Sequence, residues 1–445
     1  MSSDVADLYV KKTLEVEWGG RRLALDVPVD VFSSFQVDRG TALLLRAIEQ
    51  AGRRWGRALD LGCGYGPIAL WLAATGAGDE VHAVDRDALA VLFTQRNAAR
   101  NGLSSVLARG GLAYDNLPAS AYDAVVTNLP AKAGEGVHRL MLLGAAEHLS
   151  GVHPDAKEAG RPSAAPLTPE GMDSERGAGR SESRPSGRSP PAEQGETSET
   201  GSTGRSEVWA VVVAPLEERI DAILADEAVR VLDKARRKEH VVYRYAFADR
   251  PALPAEPYRR GTASFAWRGH AWSIEAVHGL AEFDTLAHAT EAVAREIARL
   301  LNDATPRRAV VWNPGHGHLP ILLARLCPAI ERLDLVSRDL LALHAARANL
   351  AAQGAPVDMG EQHTADPAAP APDGLDLFIG VVNEGLGVDA VAALLGRVRD
   401  RYSGVPLLLG ASSSFAARLA RALRKLGLAA RTGRKRRGAC AVLCD

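Results

Sequence analysis

The residues best placed for chemistry form the run Asp60-Leu-Gly62-Cys-Gly64-Tyr-Gly66, after an apolar, strand-like stretch and before a helix-like one. The three glycines allow the backbone to turn tightly and to approach a ligand where a Cβ would clash. Their spacing is G-x-G-x-G, not the G-x-G-x-x-G of dinucleotide binding. Asp60 stands directly before them. Its charge disfavours a pyrophosphate and suits an ammonium group. A second acid, Asp85, ends the next apolar run, where a carboxylate can accept both hydroxyls of a ribose. An ammonium group, a segment pressed against the turn and a ribose together describe S-adenosylmethionine.

A third candidate is Asn128-Leu129-Pro130-Ala131, after another strand-like run. An exocyclic amine is a poor nucleophile because its lone pair is delocalised into the ring. The side-chain oxygen of an Asn and a nearby backbone carbonyl can accept its two N–H groups and aim the lone pair at an electrophilic methyl. The gain is one of positioning and electrostatics. Asp60, Gly62, Gly64, Gly66 and Asp85 are the expected cofactor-binding residues. No metal site is expected.

The glycine run resembles motif I of class I SAM-dependent methyltransferases, and Asp85 resembles their motif II acid. With the upstream VFSSFQVDRGTALLL (31–45) and the downstream NLPAKAG (128–134), the chain is similar to the "methyltransferase small domain" group, which includes tandem-domain ribosomal-RNA guanine-N2 methyltransferases. The resemblance implies a class I fold, S-adenosylmethionine as cofactor and a nucleobase amine as acceptor. The family form of the acceptor segment is Asn/Asp-Pro-Pro-aromatic, and the resemblance implies that Asn128 and Pro130 are the catalytic residues. Here Leu129 replaces the first proline and Ala131 the aromatic, for which Phe32, Phe35 and Tyr114 are candidate substitutes. Gly110-Gly111 stands where the family usually has an acid touching the adenine amine.

The elements that must position these residues occur twice. ALDLGCGYGPIALWLA (58–73) lies over VVWNPGHGHLPILLA (310–324), HAVDRDALAVLFTQRNAARNGL (82–103) over LDLVSRDLLALHAARANLAAQGA (333–355), and AYDAVVTNLPAKAGEGV (121–137) over GLDLFIGVVNEGLGVDA (374–390). Alternating apolar runs and helix-period stretches predict an α/β chain with two tandem Rossmann-like, doubly wound sheets, each with its ligand crevice at the C-terminal strand ends. In the first copy strands are expected near Arg57–Leu61, Glu80–Asp85, Ser105–Ala108, Ala124–Thr127, Val208–Ala214 and Val241–Ala246. The second copy is degenerate: Val311 and Asn313 replace Asp60 and Gly62, and Ser337 replaces Asp85. Its His316 and His318 are read as loop histidines, and Ser412-Ser-Ser414 as a helix start.

Between the copies' matching elements lies an unmatched segment, 151–206, in which Gly, Pro and Ser make up 25 of 56 residues and no Phe, Tyr or Trp occurs. Such a segment buries too little apolar surface to offset its ordering entropy, so it is expected to be disordered. The expected division is 1–150 with 207–250 as the SAM-binding domain, 151–206 as an insertion, and 251–445 as a degenerate, substrate-binding domain.

The whole chain of 445 residues carries a net charge of −1. That balance conceals a basic end. Residues 401–445 hold ten Lys or Arg against the single acid Asp445. Arg418, Arg421, Arg424 and Lys425 recur at helical spacing, and Arg434, Lys435, Arg436 and Arg437 follow in a turn. RNA, ribosomal by resemblance, is the expected partner of this region. Four cysteines make no disulfide framework, and no stretch is long and apolar enough to span a membrane, so a cytoplasmic setting is expected. Two alternatives stay open: a methyltransferase of proteins or small molecules, and a non-catalytic RNA-binding or assembly protein.

Overall fold

The computed structural model describes residues 3–31, 36–152, 206–369 and 374–444. The expected disorder of 151–206 falls, apart from its ends, outside the described residues. So do Phe32 and Phe35.

Two seven-stranded sheets share one strand order. Across the first it is Val106–Gly110, Gly78–Asp85, Trp55–Leu61, Ala124–Asn128, Glu207–Val213, His240–Phe247 and Val229–Arg237. The second follows the same path from Asp358–His363 to Ala430–Thr432. Five strands in each are parallel and the last two are antiparallel additions. A two-stranded hairpin precedes each sheet: Val10–Trp18 with Arg21–Pro28, and Arg259–Trp267 with His270–Val277. The basic stretch Lys234–Arg237 belongs to the edge strand, and Lys238 opens the turn after it. Val229–Arg237 lies at the sheet edge with most of its side chains exposed, so its sequence shows no alternation to read. Among the described residues no helix is long and apolar enough to cross a membrane.

The local chemistry explains where the helices start. Gly66, at φ 97°, turns the chain into the helix Pro67–Thr75, with Pro67 at the first helical position, where its missing N–H is no loss. That helix is buried nearly all round, as its uniformly apolar sequence requires. Asp38 caps Arg39–Gln50 by accepting from Thr41 N, and Asp87 caps Ala88–Arg100 by accepting from Leu89 N. Ser412 caps Ser413–Lys425 in the same way. Beyond the insertion, Glu207 fixes the returning strand: its carboxylate, 1% exposed, pairs with Arg53 at 2.6 Å and Arg244 at 2.7 Å. Ser206 Oγ donates to the Ser150 carbonyl at 2.5 Å, so the two ends of the insertion meet.

The halves meet reciprocally. Ala88 N donates to Arg338 O at 2.7 Å and Leu340 N to Arg86 O at 3.0 Å. Arg86 pairs with Asp339, and Arg338 with Asp87 and Asp30. These are matching positions of the two copies, joined as about a two-fold axis. His363 sits on that axis, its Nε2 donating to both Arg86 O and Arg338 O at 2.8 and 2.9 Å.

Candidate active site

The glycine turn is held from behind. Gly62, Gly64 and Gly66 have φ values of 82°, 57° and 97°, the left-handed region that favours glycine. A Cβ on Gly66 would lie 3.0 Å from Leu70 and 3.1 Å from Thr94. Gly62 N and Cys63 N both donate to Val84 O, and Thr94 Oγ1 donates to Gly64 O. Asp85 ties the turn to the next strand: Oδ2 accepts from Gly64 N and Oδ1 from Asp87 N, both at 2.9 Å. Each oxygen keeps a further lone pair for a hydroxyl.

Asp60 is fully buried against the helix Pro67–Thr75. Its Oδ2 accepts from Ala69 N at 2.9 Å, while its Oδ1 has no partner. Burial, reinforced by the charge of Asp85, pushes its carboxyl up to about 8, although the Ala69 bond opposes the shift. A buried carboxyl whose Oδ1 has no partner is a feature that a cationic group held there would satisfy, by favouring its ionised form.

Asn128 ends the strand Ala124–Asn128 half-buried, at the same sheet edge. Its amide nitrogen donates to Asp38 Oδ2 at 2.9 Å and Thr41 Oγ1 at 3.0 Å. Both donor hydrogens are spent, so Oδ1 is left as a free acceptor of fixed direction. Sequence reasoning did not single out Asp38 and Thr41. Their signal was the helix-capping pattern in Asp38-Arg-Gly-Thr41. Pro130 is exposed, and its carbonyl is occupied by His138 Nε2 at 2.9 Å and Ala133 N at 3.3 Å. The unoccupied carbonyl beside Asn128 is that of Leu129. Burial lowers the pKa of His138 and keeps it neutral, with Nε2 protonated and Nδ1 unpartnered.

Tyr114, one candidate for the missing aromatic, is withdrawn into the core. It is 7% exposed, donates to Met141 O at 2.7 Å and stacks on His148. Gly110 owes its lack of a side chain to the seam between the halves: a Cβ there would lie 2.6 Å from the His363 ring.

In the second half Asn313 keeps the left-handed turn, at φ 55°, and donates to Val381 O. Ser337 Oγ accepts from Asp339 N, replacing one of the two backbone bonds of Asp85. His316 and His318 each use both ring nitrogens in structural bonds, to Ala281 O and Val277 N and to Glu282 O and Trp272 Nε1. Among the described residues no cluster of three His, Cys, Asp or Glu could hold a metal.

The charge of the two halves diverges at equivalent helices. In the first, Lys234 and Arg236 are neutralised by Glu217 and Asp221 of the helix Glu217–Leu224. In the second, Arg418, Arg421, Arg424 and Lys425 stand exposed on Ser413–Lys425. None of these four, nor Arg434, Lys435, Arg436 or Arg437, pairs with an acid among the described residues. Arg418, Arg421 and Lys425 border a groove of about 770 Å³ between that helix and Val388–Arg401.

Comparison with known proteins agrees with this geometry. The methyltransferase small-domain family matches residues 23–151. The chain is 36% identical over 120 residues to the uncharacterized protein YbxB of Bacillus subtilis, and 36% identical over 131 residues to ribosomal RNA small subunit methyltransferase C of Acinetobacter baumannii. These matches cover 27% and 28% of this chain, and 59% and 37% of the relatives' lengths. The solved structure of the T. thermophilus 16S rRNA N2 G1207 methyltransferase, in complex with AdoMet and guanosine, aligns over 99% of both chains with a TM-score of 0.64 at 17% identity. It shows the same fold through both halves. Residues 23–151 thus match the methyltransferase small-domain family, within a chain that carries the class I methyltransferase fold twice.

Proposed function

We propose that the chain is an S-adenosylmethionine-dependent methyltransferase acting on an exocyclic amine of a nucleobase in RNA, most specifically ribosomal RNA. The observation that carries this reading is the clamp on Asn128. Asp38 and Thr41 consume both amide hydrogens and leave Oδ1 as an acceptor at the same sheet edge as the glycine turn and Asp85.

S-adenosylmethionine supplies an electrophilic methyl on a sulfonium. The residues present fit it: the orphaned Asp60 Oδ1 for its ammonium group, Gly62, Gly64 and Gly66 for close backbone approach, and Asp85 for its ribose. Asn128 Oδ1 and the Leu129 carbonyl accept the two N–H groups of the acceptor amine and turn its lone pair toward the methyl. Pro130 stiffens the loop, and its carbonyl holds His138 rather than the substrate.

Residues 1–150 with 207–250 form the cofactor-binding unit in this reading, and 251–445 bind RNA through Arg418, Arg421, Arg424, Lys425 and Arg434 to Arg437. The unpaired charge of that region supports the assignment. The test is incubation with methyl-labelled S-adenosylmethionine and, separately, total RNA, ribosomal subunits and protein extract. Label in RNA that is lost in Asn128→Ala is the expected result. Label in protein alone would exclude RNA as substrate, and no label in any fraction would exclude the enzyme.

A further inference from the structure

The Asp85 side of the first crevice is roofed by the second half of the chain. Three loops leave the sheet edge there: Arg86 after Asp85, Gly110–Asp115, and Ala131–Gly136 beyond Asn128. The root of the second hairpin touches the first and third. Gly279 O accepts from Arg86 Nη2 at 3.2 Å. A Cβ on Gly134 would lie 2.7 Å from the His278 ring, and one on Gly136 would lie 2.5 Å from the Pro257 carbonyl. Between these contacts stands Tyr258, half-buried, packed on the core of the first half and near the charges of Arg86, Asp115 and Asp339. Burial pushes its phenol up to about 12, so it stays protonated. Its hydroxyl has no hydrogen-bond partner among the described residues.

The two-fold relation between the halves supplies a comparison. Tyr9 precedes the first hairpin as Tyr258 precedes the second. Val29 N donates to Tyr9 O and His278 N to Tyr258 O, each at 2.8 Å. Tyr9 reaches into the second half, where it is 2% exposed and donates to Ala365 O at 2.5 Å. Ala365 lies two residues past the strand Asp358–His363, as Leu112 lies two past Val106–Gly110. In the degenerate half a tyrosine thus fills the rim of the crevice and satisfies its hydroxyl on the chain. In the other half the equivalent tyrosine stops short, with its hydroxyl unused.

We propose that Tyr258 is a cofactor-binding residue contributed by the second half, closing its ring over the adenine of bound S-adenosylmethionine. The inference rests on the cofactor reading above. It also accounts for the bare Gly110-Gly111, since the purine gains from the roof the side-chain contact that the floor lacks. A base stacked on an aromatic ring is held by the contact between the two faces, whatever the base.

The test is calorimetric binding of S-adenosylmethionine and of 5′-methylthioadenosine, which keeps the adenosine and lacks the amino-acid end, to the full chain. Tyr258→Ala should weaken both about tenfold. It should raise KM for the cofactor while leaving kcat at saturation within about twofold. Tyr258→Phe, which keeps the ring, should bind within about twofold of wild type. If Tyr258→Ala does not fold, Tyr258→Leu carries the same expectation. Unchanged affinity in a folded variant would overturn the proposal, and so would tighter binding, which would make the tyrosine an obstacle. Wild type and Asp85→Ala binding the cofactor equally weakly would instead sink the cofactor reading itself, and this inference with it.

Discussion

Asp60 is the residue whose state depends most on its surroundings. Its folded pKa is raised above the ordinary carboxylate value to about 8, mainly by burial. The native state therefore favours the protonated form. The stability from this group is fully present below about pH 4 and is lost as pH rises through about 8. Asp60→Asn should remove that loss, so thermal unfolding from pH 5 to 9 should show wild type falling relative to the variant. A difference that does not change with pH would contradict a buried neutral carboxyl. Asn128 carries a different expectation. Asn128→Ala should lower transfer about 100-fold with cofactor affinity unchanged, measured as kcat against calorimetric Kd. The placement of Asp60, the glycines, Asp85 and Asn128 at strand ends beside turns was legible in the sequence, as apolar runs broken by Gly, Asp or Asn. Asp38 and Thr41 were not, because their partner lies about 90 residues away in the chain and only the folded sheet brings them together.

At the scale of elements, the parallel strands and their helices were legible because buried strands read as apolar runs and each helix began at a visible cap. The edge strand Val229–Arg237 was not, since a strand facing water on most sides carries no alternation. The seam between the halves was also hidden, yet it dictates a sequence feature: Gly110 is small because His363 stands against it. His363 cannot swing away without surrendering two carbonyl bonds. Gly110→Ala should therefore cost about 1–3 kcal/mol of unfolding free energy. Adding His363→Ala should recover part of that cost, a coupling that a double-mutant cycle in urea would read directly. Purely additive effects would separate the two residues. The return of the chain at Ser206–Glu207 is fixed by its own bonds to Ser150, Arg53 and Arg244, not by the length of the insertion. Replacing 153–205 with a linker of roughly ten residues should leave the fold intact and add about 1.5 kcal/mol of stability, by the logarithmic cost of loop closure. Lost solubility would show that the segment contributes to the packing.

Over the whole molecule, the near-zero net charge hides an asymmetry that the ion pairs make plain. One half neutralises its basic hairpin with Glu217 and Asp221, while the other leaves its basic helix bare. Replacing Arg418, Arg421 and Lys425 by Gln should lower the slope of log K for RNA against log salt by about 2 to 3, while cofactor binding is unaffected. An unchanged slope would move the RNA contact elsewhere. The reciprocal packing of Arg86–Ala88 with Arg338–Leu340 makes this chain, in effect, a dimer written into one polypeptide whose partners have grown unequal. If the first crevice holds the cofactor as proposed, the residues that border it are spread along nearly the whole chain, while its recognisable signature occupies less than a third of it. Selection for the cofactor would reach Tyr258, His278 and His363 in a half whose own crevice lacks the acids Asp60 and Asp85. Divergence among relatives at those positions should therefore follow the first half's turn and not their own neighbours in sequence.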